Sequence, residues 1–127
     1  MVKEKISTTL LTKLVLSMAY KVIITPPAKR RLDMYVYYTL ETLQNREAAK
    51  AILVDAKATA KKLATVAASL QICDNPILAK YEYRKIGFEK HDFMMVYRIH
   101  EGQVIVDGMF HELQDYEGIL TNELHLE

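Results

Sequence analysis

Residues with special covalent or backbone chemistry are scarce in this 127-residue sequence. Cys73 is the only cysteine, so no disulfide can form within the chain, which fits a reducing, cytoplasmic location. The four glycines include no phosphate-cradling loop, which argues against an enzyme that uses a nucleotide cofactor. No apolar run approaches the ~20 residues of a membrane-spanning helix, so we expect no membrane partner.

Metal and nucleophile signatures are absent as well. The sequence contains no HExxH and no GxSxG motif. Four histidines are scattered along the chain, and one cysteine cannot complete a typical zinc site. We therefore expect neither a metal nor a cofactor.

The charges are distributed unevenly although the net charge is only +1. Residues 1–100 carry all 17 Lys and Arg and 9 acids, whereas residues 101–127 carry 7 acids and no Lys or Arg. Such asymmetry can mark a polyanion-binding face beside an acidic tail. Ordinary solvated surfaces explain it about as well.

The chain divides into three expected parts. Residues 1–17 read as an extension, either an upstream start before Met18 or a short amphipathic helix. Residues 18–118 form the expected single domain, and residues 119–127 an acidic tail.

The first half of the domain predicts a strand and two helices. Residues 19–25 form a short β-rich segment, and Thr25 with Pro26-Pro27 predicts a helix start. The helix should run to Leu43, with a basic first turn that is either solvated or functional. Its expected buried residues are Leu32, Tyr35, Val36, Thr39, Leu40 and Leu43.

A second helix is predicted from Arg46 to Leu70, capped by Asn45. Its expected buried residues are Ala49, Ile52, Leu53, Ala56, Ala60, Leu63, Ala67 and Leu70. Because the link between the helices is short, they must form an antiparallel hairpin.

Three strands complete the pattern, at residues 80–86, 92–100 and 103–111. Glu101-Gly102 predicts a two-residue turn between the last two. Strict alternation places Val104, Val106 and Phe110 on one face of the last strand. Residues 112–127 are expected to form a short helix or a loose tail.

The predicted class is therefore α+β, with the order β-α-α-β-β-β. The helical hairpin covers one face of a small, mostly antiparallel sheet, because that face is apolar. The other face should stay open. Its expected apolar groups are Met94, Val96, Ile105 and Met109.

Basic and aromatic residues are interleaved on the late strands, as in RNA-binding surfaces, where cations meet phosphates and rings stack on bases. Such groups could also cleave RNA without a metal by acid–base chemistry. Half-buried structural tyrosines and histidines are the simpler explanation. The residues are Tyr81, Tyr83, Arg84, Lys85, Lys90, His91, Arg98, His111 and Tyr116.

Two segments resemble the RelE/ParE toxins. The first is YKVIITPPAKRRL, which opens the domain, and the second is KYEYRKIGFEKHDFMMVYRIHEGQVIVDGMFHELQDYE near its end. The second contains a VYRI-like run at residues 96–99 and a His-x-x-x-Asp-Tyr pattern at residues 111–116. The resemblance covers about residues 18–118.

The resemblance implies a toxin of a type II toxin–antitoxin system, held inactive by an antitoxin. RelE-like members cut mRNA on the ribosome, and ParE-like members poison DNA gyrase. For ribosome-dependent cleavage, His111, Tyr116 and Arg84 are the candidate catalytic residues. An antitoxin segment would cover the open apolar face. The candidate RNA- or target-binding residues are Tyr83, Lys85, Lys90, His91 and Arg98.

Two positions depart from the family pattern. Met94 stands where ribosome-dependent members commonly carry an Arg, and Leu113 stands where many members carry a basic residue. Each missing cation costs a few kcal/mol of transition-state stabilisation. The activity is therefore predicted as metal-independent mRNA cleavage by a narrow margin. The alternatives are gyrase inhibition without catalysis and a non-toxic member that serves as a binding module.

Overall fold

The computed structural model describes residues 19–127, and the expected extension at residues 1–17 lies outside the described residues. The elements are β1 (Lys21–Ile24), α1 (Pro26–Tyr37), α2 (Arg46–Val66), α3 (Pro76–Lys80), β2 (Arg84–Gly87), β3 (Phe93–His100), β4 (Gln103–His111) and α4 (Tyr116–Glu123). In this part of the chain, no helix is long and apolar enough to cross a bilayer.

The four strands form one sheet in the order β1-β4-β3-β2. β1 runs parallel to β4, and the other two pairs are antiparallel. The α1–α2 hairpin packs on one face of this sheet, which we call the hairpin face. The predicted α+β class and its helical hairpin are confirmed.

The end of α1 differs from the expectation. The chain widens into a π-helical turn at Tyr38–Thr42, in which the Leu43 N–H donates to the Tyr38 carbonyl 3.2 Å away. The wider turn changes which side chains face the sheet. Leu40 and Leu43, predicted to be buried, are therefore 37% and 57% exposed.

The two predicted helix caps have different outcomes. Asn45 caps α2, since its Oδ1 accepts from the Ala48 N–H at 3.0 Å. Thr25 makes no side-chain cap, and its hydroxyl instead donates to the Val106 carbonyl of β4 at 3.0 Å. Along α2 only one stripe faces the sheet, so Leu53, at its border, is 38% exposed.

The strand predicted at residues 80–86 is wrong in its first half. Asn75 caps the short helix α3 by accepting from the Ile77 and Leu78 N–H groups at 3.0 and 3.1 Å. The chain then turns through Glu82, which has a φ of 58°, and β2 begins only at Arg84. The Asn-Pro helix start at residues 75–76 prevails over the alternating pattern.

β3 and β4 form the predicted hairpin, with Glu101 and Gly102 at φ of 49° and 75° in the turn. Positive φ at both central residues is the type I′ geometry, which fits the twist of the strands.

A β-bulge at Asp107 interrupts the alternation of β4. Val96 pairs with Gly108 and Tyr97 with Val106, so Asp107 has no partner residue. Beyond such a bulge, the side chains change faces. Met109 therefore joins Val104 and Val106 on the hairpin face, and Phe110 lies on the other face, which reverses the prediction for these two residues.

The face expected to be open is covered. Helices α3 and α4 pack on it, and we call it the C-terminal face. Its core consists of Cys73, Leu78, Tyr83, Met94, Val96, Phe110 and Leu120. Of the four apolar groups predicted to be exposed, Met94, Val96 and Met109 are buried and Ile105 is half-buried.

The C-terminal residues supply much of that cover. Of the two forms expected for residues 112–127, the short helix is the one observed. Leu120 is fully buried, and Leu124 and Leu126 pack beside it. The expected domain boundary at residue 118 falls inside α4.

Candidate functional site

The late strands and α4 bring two predicted residues together on the C-terminal face. Lys85 lies opposite Val96 across the β2–β3 pair and is exposed. Its Nζ lies 5.4 Å from the centroid of the Tyr116 ring at the start of α4. A cation over an aromatic face is held by the ring quadrupole, so the two side chains form a unit.

A second cation–π pair lies next to the first. The Phe110 ring is 6.2 Å from the Tyr116 ring, and the Arg31 guanidinium lies 4.8 Å over Phe110. Arg31 also pairs with Glu123 of α4. We call Arg31, Lys85, Phe110 and Tyr116 the cation–aromatic cluster. It combines two positive charges with two rings at the edge of one sheet face.

Arg31 was not among the predicted site residues. The basic first turn of α1 was the only signal, because cations there oppose the helix dipole and helix starts usually avoid them. The sequence could not show which of its three cations reaches Phe110, since that contact joins residues 79 positions apart.

Tyr116 carries a weakly acidic phenol. Burial raises the pKa of its phenol, and the neighbouring Lys85 cation only partly opposes that change. The hydroxyl is therefore protonated near neutral pH.

His111 lies apart from Tyr116, at the end of β4 towards the hairpin face. Its ring meets the Phe93 ring edge-on, at 5.2 Å and 87°. Its Nδ1 accepts a hydrogen bond from the Leu113 N–H at 3.1 Å, so in the neutral ring the proton is on Nε2. Nδ1 is therefore already engaged within the chain, and the ring offers only its Nε2–H as a hydrogen-bond donor.

Arg84 is engaged elsewhere. Its Nη1 donates to the Ala67 carbonyl at 3.1 Å, just beyond the end of α2 on the hairpin face. The three candidate catalytic residues, Arg84, His111 and Tyr116, are thus divided between the two faces of the sheet. In the described part of the chain they do not form one acid–base centre.

Tyr83 and Arg98 belong to a buried network around the β-bulge. Asp107 accepts from the Tyr83 hydroxyl at 2.6 Å and from Arg98 Nε at 3.0 Å. Burial raises the pKa of Tyr83, and the hydrogen bond to Asp107 adds to the increase. This geometry makes Tyr83 a structural residue, because its hydroxyl is already used and its ring is in the core.

Lys90 and His91 lie in the β2–β3 loop, against α2. Asp55 of α2 is buried and accepts from His91 Nδ1 at 2.7 Å and from the Lys90 N–H at 2.9 Å. It also accepts from the Glu89 N–H at 3.2 Å. Burial opposes the charged carboxylate, but these hydrogen bonds outweigh it and lower the pKa of Asp55.

Asp55 was missed by the sequence analysis. It is an acid on the buried stripe of a predicted helix, between Ile52 and Ala56, and that position was the available signal. An isolated carboxylate on an apolar stripe needs donors from another element. Here the β2–β3 loop supplies them.

Comparison with solved structures gives a clear likeness in fold. No protein-family profile and no curated protein matches the sequence. A chain of the solved structure titled "Chromosomal ParDE TA system from P. aeruginosa" is similar, with a TM-score of 0.61 and 18% identity. The match covers 74% of this chain and 97% of that chain. The chain has a RelE/ParE-like fold.

The likeness confirms the fold implied by the sequence resemblance. Residues 19–127 contain no group of three or more His, Cys, Asp or Glu that could hold a metal ion. Six of the eight predicted catalytic and binding residues lie in three places: the cation–aromatic cluster, the Asp107 network and the Asp55–loop contact. The other two, Arg84 and His111, lie elsewhere, at the Ala67 carbonyl and beside Phe93.

Proposed function

We propose that the chain is the toxin of a type II toxin–antitoxin system and that it acts by binding a protein target, with DNA gyrase the first to test. The separation of Arg84, His111 and Tyr116 across the two sheet faces carries this proposal. Cleavage needs an acid, a base and cations around one phosphate, whereas inhibition by binding needs none of these. Met94 and Leu113, which stand where family members commonly carry cations, support the same proposal.

The test compares growth and gyrase activity. Induction of the full chain should arrest growth, and co-expression of the protein encoded by the neighbouring reading frame should restore it. The purified chain should inhibit supercoiling of relaxed plasmid by purified gyrase and trap cleaved DNA. Growth arrest with unaffected gyrase would exclude gyrase as the target. Normal growth at high expression would show that the chain is not a toxin.

The cation–aromatic cluster favours mRNA cleavage as a second candidate. The Lys85 cation and the protonated phenol of Tyr116 lie together there, and such groups can hold a phosphate and protonate a leaving oxygen. In translation reactions with mapped cuts, Tyr116→Phe should then reduce cleavage at least tenfold. His111→Ala should have a smaller effect. Intact mRNA with the wild-type chain would remove this candidate.

The antitoxin surface needs a new assignment, because the apolar groups first proposed are covered. We propose that the antitoxin covers the exposed side of α1 and the turn after it. Met34, Tyr37 and Tyr38 are 67%, 66% and 54% exposed there, which is unusual for large apolar side chains so close together. The double variant Met34→Lys/Tyr37→Lys should stay toxic and escape rescue by the neighbouring gene product. Full rescue would contradict this surface.

A further inference from the structure

Helix α2 carries a line of cations along its exposed side. Its members are separated by four, seven and four positions, a spacing that places them on one side of a helix. At 1.5 Å per residue, the line is about 22 Å long. We call it the α2 cation stripe, and it consists of Arg46, Lys50, Lys57 and Lys61, all of them exposed.

The carboxylates near the stripe gather around Lys50, in its N-terminal half. Glu47, Asp55 and Glu89 line one cavity together with Lys50. Asp55 is buried and accepts three hydrogen bonds from the β2–β3 loop, and Glu89 lies 3.9 Å from Lys62. Within residues 19–127, none of the four stripe cations forms an ion pair with a carboxylate. The carboxylates therefore weaken the stripe at Lys50 and leave its other half positive.

The second half of α2 is the most positive part of the helix. From Ala56 to Val66 it contains three lysines and no acid. Arg84 of β2 adds a cation beyond the helix end, where its Nη1 donates to the Ala67 carbonyl at 3.1 Å. We expect a polyanion to be held most strongly by the two stripe residues of this half, Lys57 and Lys61.

The acidic part of the chain lies on the other side of the sheet. Helix α2 packs on the hairpin face, whereas α4 packs on the C-terminal face. Asp115, Glu117 and Glu123 belong to α4 and its cap, and residues 101–127 contain no Lys or Arg. The uneven charge of the sequence thus becomes a polarity across the sheet, and a polyanion can approach α2 without meeting the acids of α4.

The side chains of α2 favour a nucleic-acid duplex among the polyanions. The helix contains no aromatic residue, and its exposed large apolar side chains are Leu53 and Val54. Unpaired bases are bound by stacking on aromatic rings, and membrane surfaces by apolar and aromatic side chains that insert. Duplex phosphates need only cations placed along a line.

We propose that the α2 cation stripe binds the phosphate backbone of double-stranded DNA without reading its sequence. The choice of DNA over an RNA duplex rests on the proposed action at gyrase, an enzyme that holds a DNA duplex. Lysines are point charges on flexible stems, so they contact phosphates without selecting bases. Such a contact holds the chain beside the DNA on which gyrase acts.

Fluorescence anisotropy of a short labelled DNA duplex, titrated with the full chain without gyrase, tests this proposal. The affinity of the wild type should fall roughly 100-fold between about 50 and 200 mM NaCl, because three or four phosphates are contacted. Lys57→Gln and Lys61→Gln should each weaken binding several-fold and reduce the slope of log affinity against log salt by about 0.9. Lys50→Gln should have a smaller effect, because carboxylates surround that residue.

Lys80→Gln is the matched control. It removes the same charge from an exposed site on α3, which packs on the C-terminal face, and should leave the affinity and the salt slope unchanged. All variants should keep the wild-type melting temperature. An equal loss of slope in Lys80→Gln, or unchanged slopes in Lys57→Gln and Lys61→Gln, would overturn the proposal.

Other polyanions identify the ligand. An RNA duplex, a DNA single strand and vesicles of anionic lipid should each bind more weakly than the DNA duplex, and tighter binding of any of them would overturn the proposal. So would a wild type that inhibits gyrase but does not bind DNA at low salt, and the proposed function would then stand without the stripe. DNA binding through Lys57 and Lys61 with unaffected gyrase would support the stripe and remove gyrase as the target.

Discussion

At the scale of single residues, Asp55 is the clearest case of a side chain that holds two elements together. Its carboxylate receives three donors from the β2–β3 loop. Asp55→Asn removes the charge and one strong acceptor, and we expect it to lower the free energy of unfolding by about 1–3 kcal/mol at pH 7. Urea denaturation measures this loss. Asp33→Asn, at an exposed position of α1, is the control.

The same carboxylate should make stability depend on pH. Because the pKa of Asp55 is lower in the folded protein than its ordinary value of 3.8, its contribution is complete above that value. It is lost as the pH falls through the folded pKa. The wild type should therefore lose more stability than Asp55→Asn in acid. If the free energies of unfolding of the two proteins fall in parallel as the pH is lowered, the ionisation of Asp55 is not linked to folding.

Position 108 requires a glycine because the Phe110 ring lies very close to it. A Cβ on this residue would overlap the ring of Phe110, which is fully buried and cannot move freely. Gly108→Ala should therefore lower the free energy of unfolding by about 1–3 kcal/mol. Gly87→Ala is the matched control in β2, since no atom lies within 4 Å of its added Cβ. Equal melting temperatures for the two variants would contradict this account.

At the scale of elements, α4 acts as a cover for the C-terminal face. Leu120 is its fully buried anchor, so Leu120→Ala should cost about 2–5 kcal/mol. The variant should also bind more of a hydrophobic dye, because Met94 and Val96 lie beneath the same layer. Leu113→Ala changes the same residue type at an exposed site and should stay within about 0.5 kcal/mol of wild type.

Some elements could be predicted from local signals and others could not. The hairpin turn and the cap at Asn45 depend on neighbours in sequence, and both predictions are correct. The π-helical turn after α1 and the bulge at Asp107 depend on how the chain meets distant elements. The helical period of 3.6 residues and the strand period of 2 residues describe only neighbours in sequence, so they cannot predict such contacts.

At the scale of the whole molecule, buried tyrosines should limit stability in alkali. Burial raises the pKa of Tyr97 to about 12, above its ordinary value of 10.0, and Arg84 only partly opposes this change. The unfolded chain therefore loses its proton first, and the free energy of unfolding should fall between about pH 10 and pH 12. In this pH range the Tyr97 phenol can ionise only if the core opens or if the core holds a buried negative charge.

Tyr97→Phe tests this effect. The variant should be about 1 kcal/mol less stable at pH 7, since the Tyr97 hydroxyl donates to the Ala67 carbonyl at 2.7 Å. It should, however, lose less stability than wild type as the pH rises from 10 to 12. Tyr37→Phe, at an exposed position, should follow the wild-type curve. An unchanged slope for Tyr97→Phe would contradict this assignment.

The site could be predicted only in part, for a reason that also belongs to this scale. The sequence showed that basic and aromatic residues are interleaved along the late strands, but not which of them share a face. Strand alternation then places Arg84 on one sheet face and Lys85 on the other. Tyr83 and Arg98 donate hydrogen bonds to Asp107 and belong to its network instead. Arg31, which contacts Phe110, belongs to α1, in the first half of the domain.

The sequence alone determined the α+β class, the helical hairpin and the resemblance at the level of fold, because apolar periodicity and turn chemistry act over a few residues. Only the tertiary structure decided that both sheet faces are covered, that Phe110 and Met109 exchange faces, and that the candidate catalytic groups are separated. Those outcomes depend on an unpaired residue in β4 and on contacts between residues far apart in the chain. Local patterns cannot contain that information, because burial and pairing are properties of the assembled molecule.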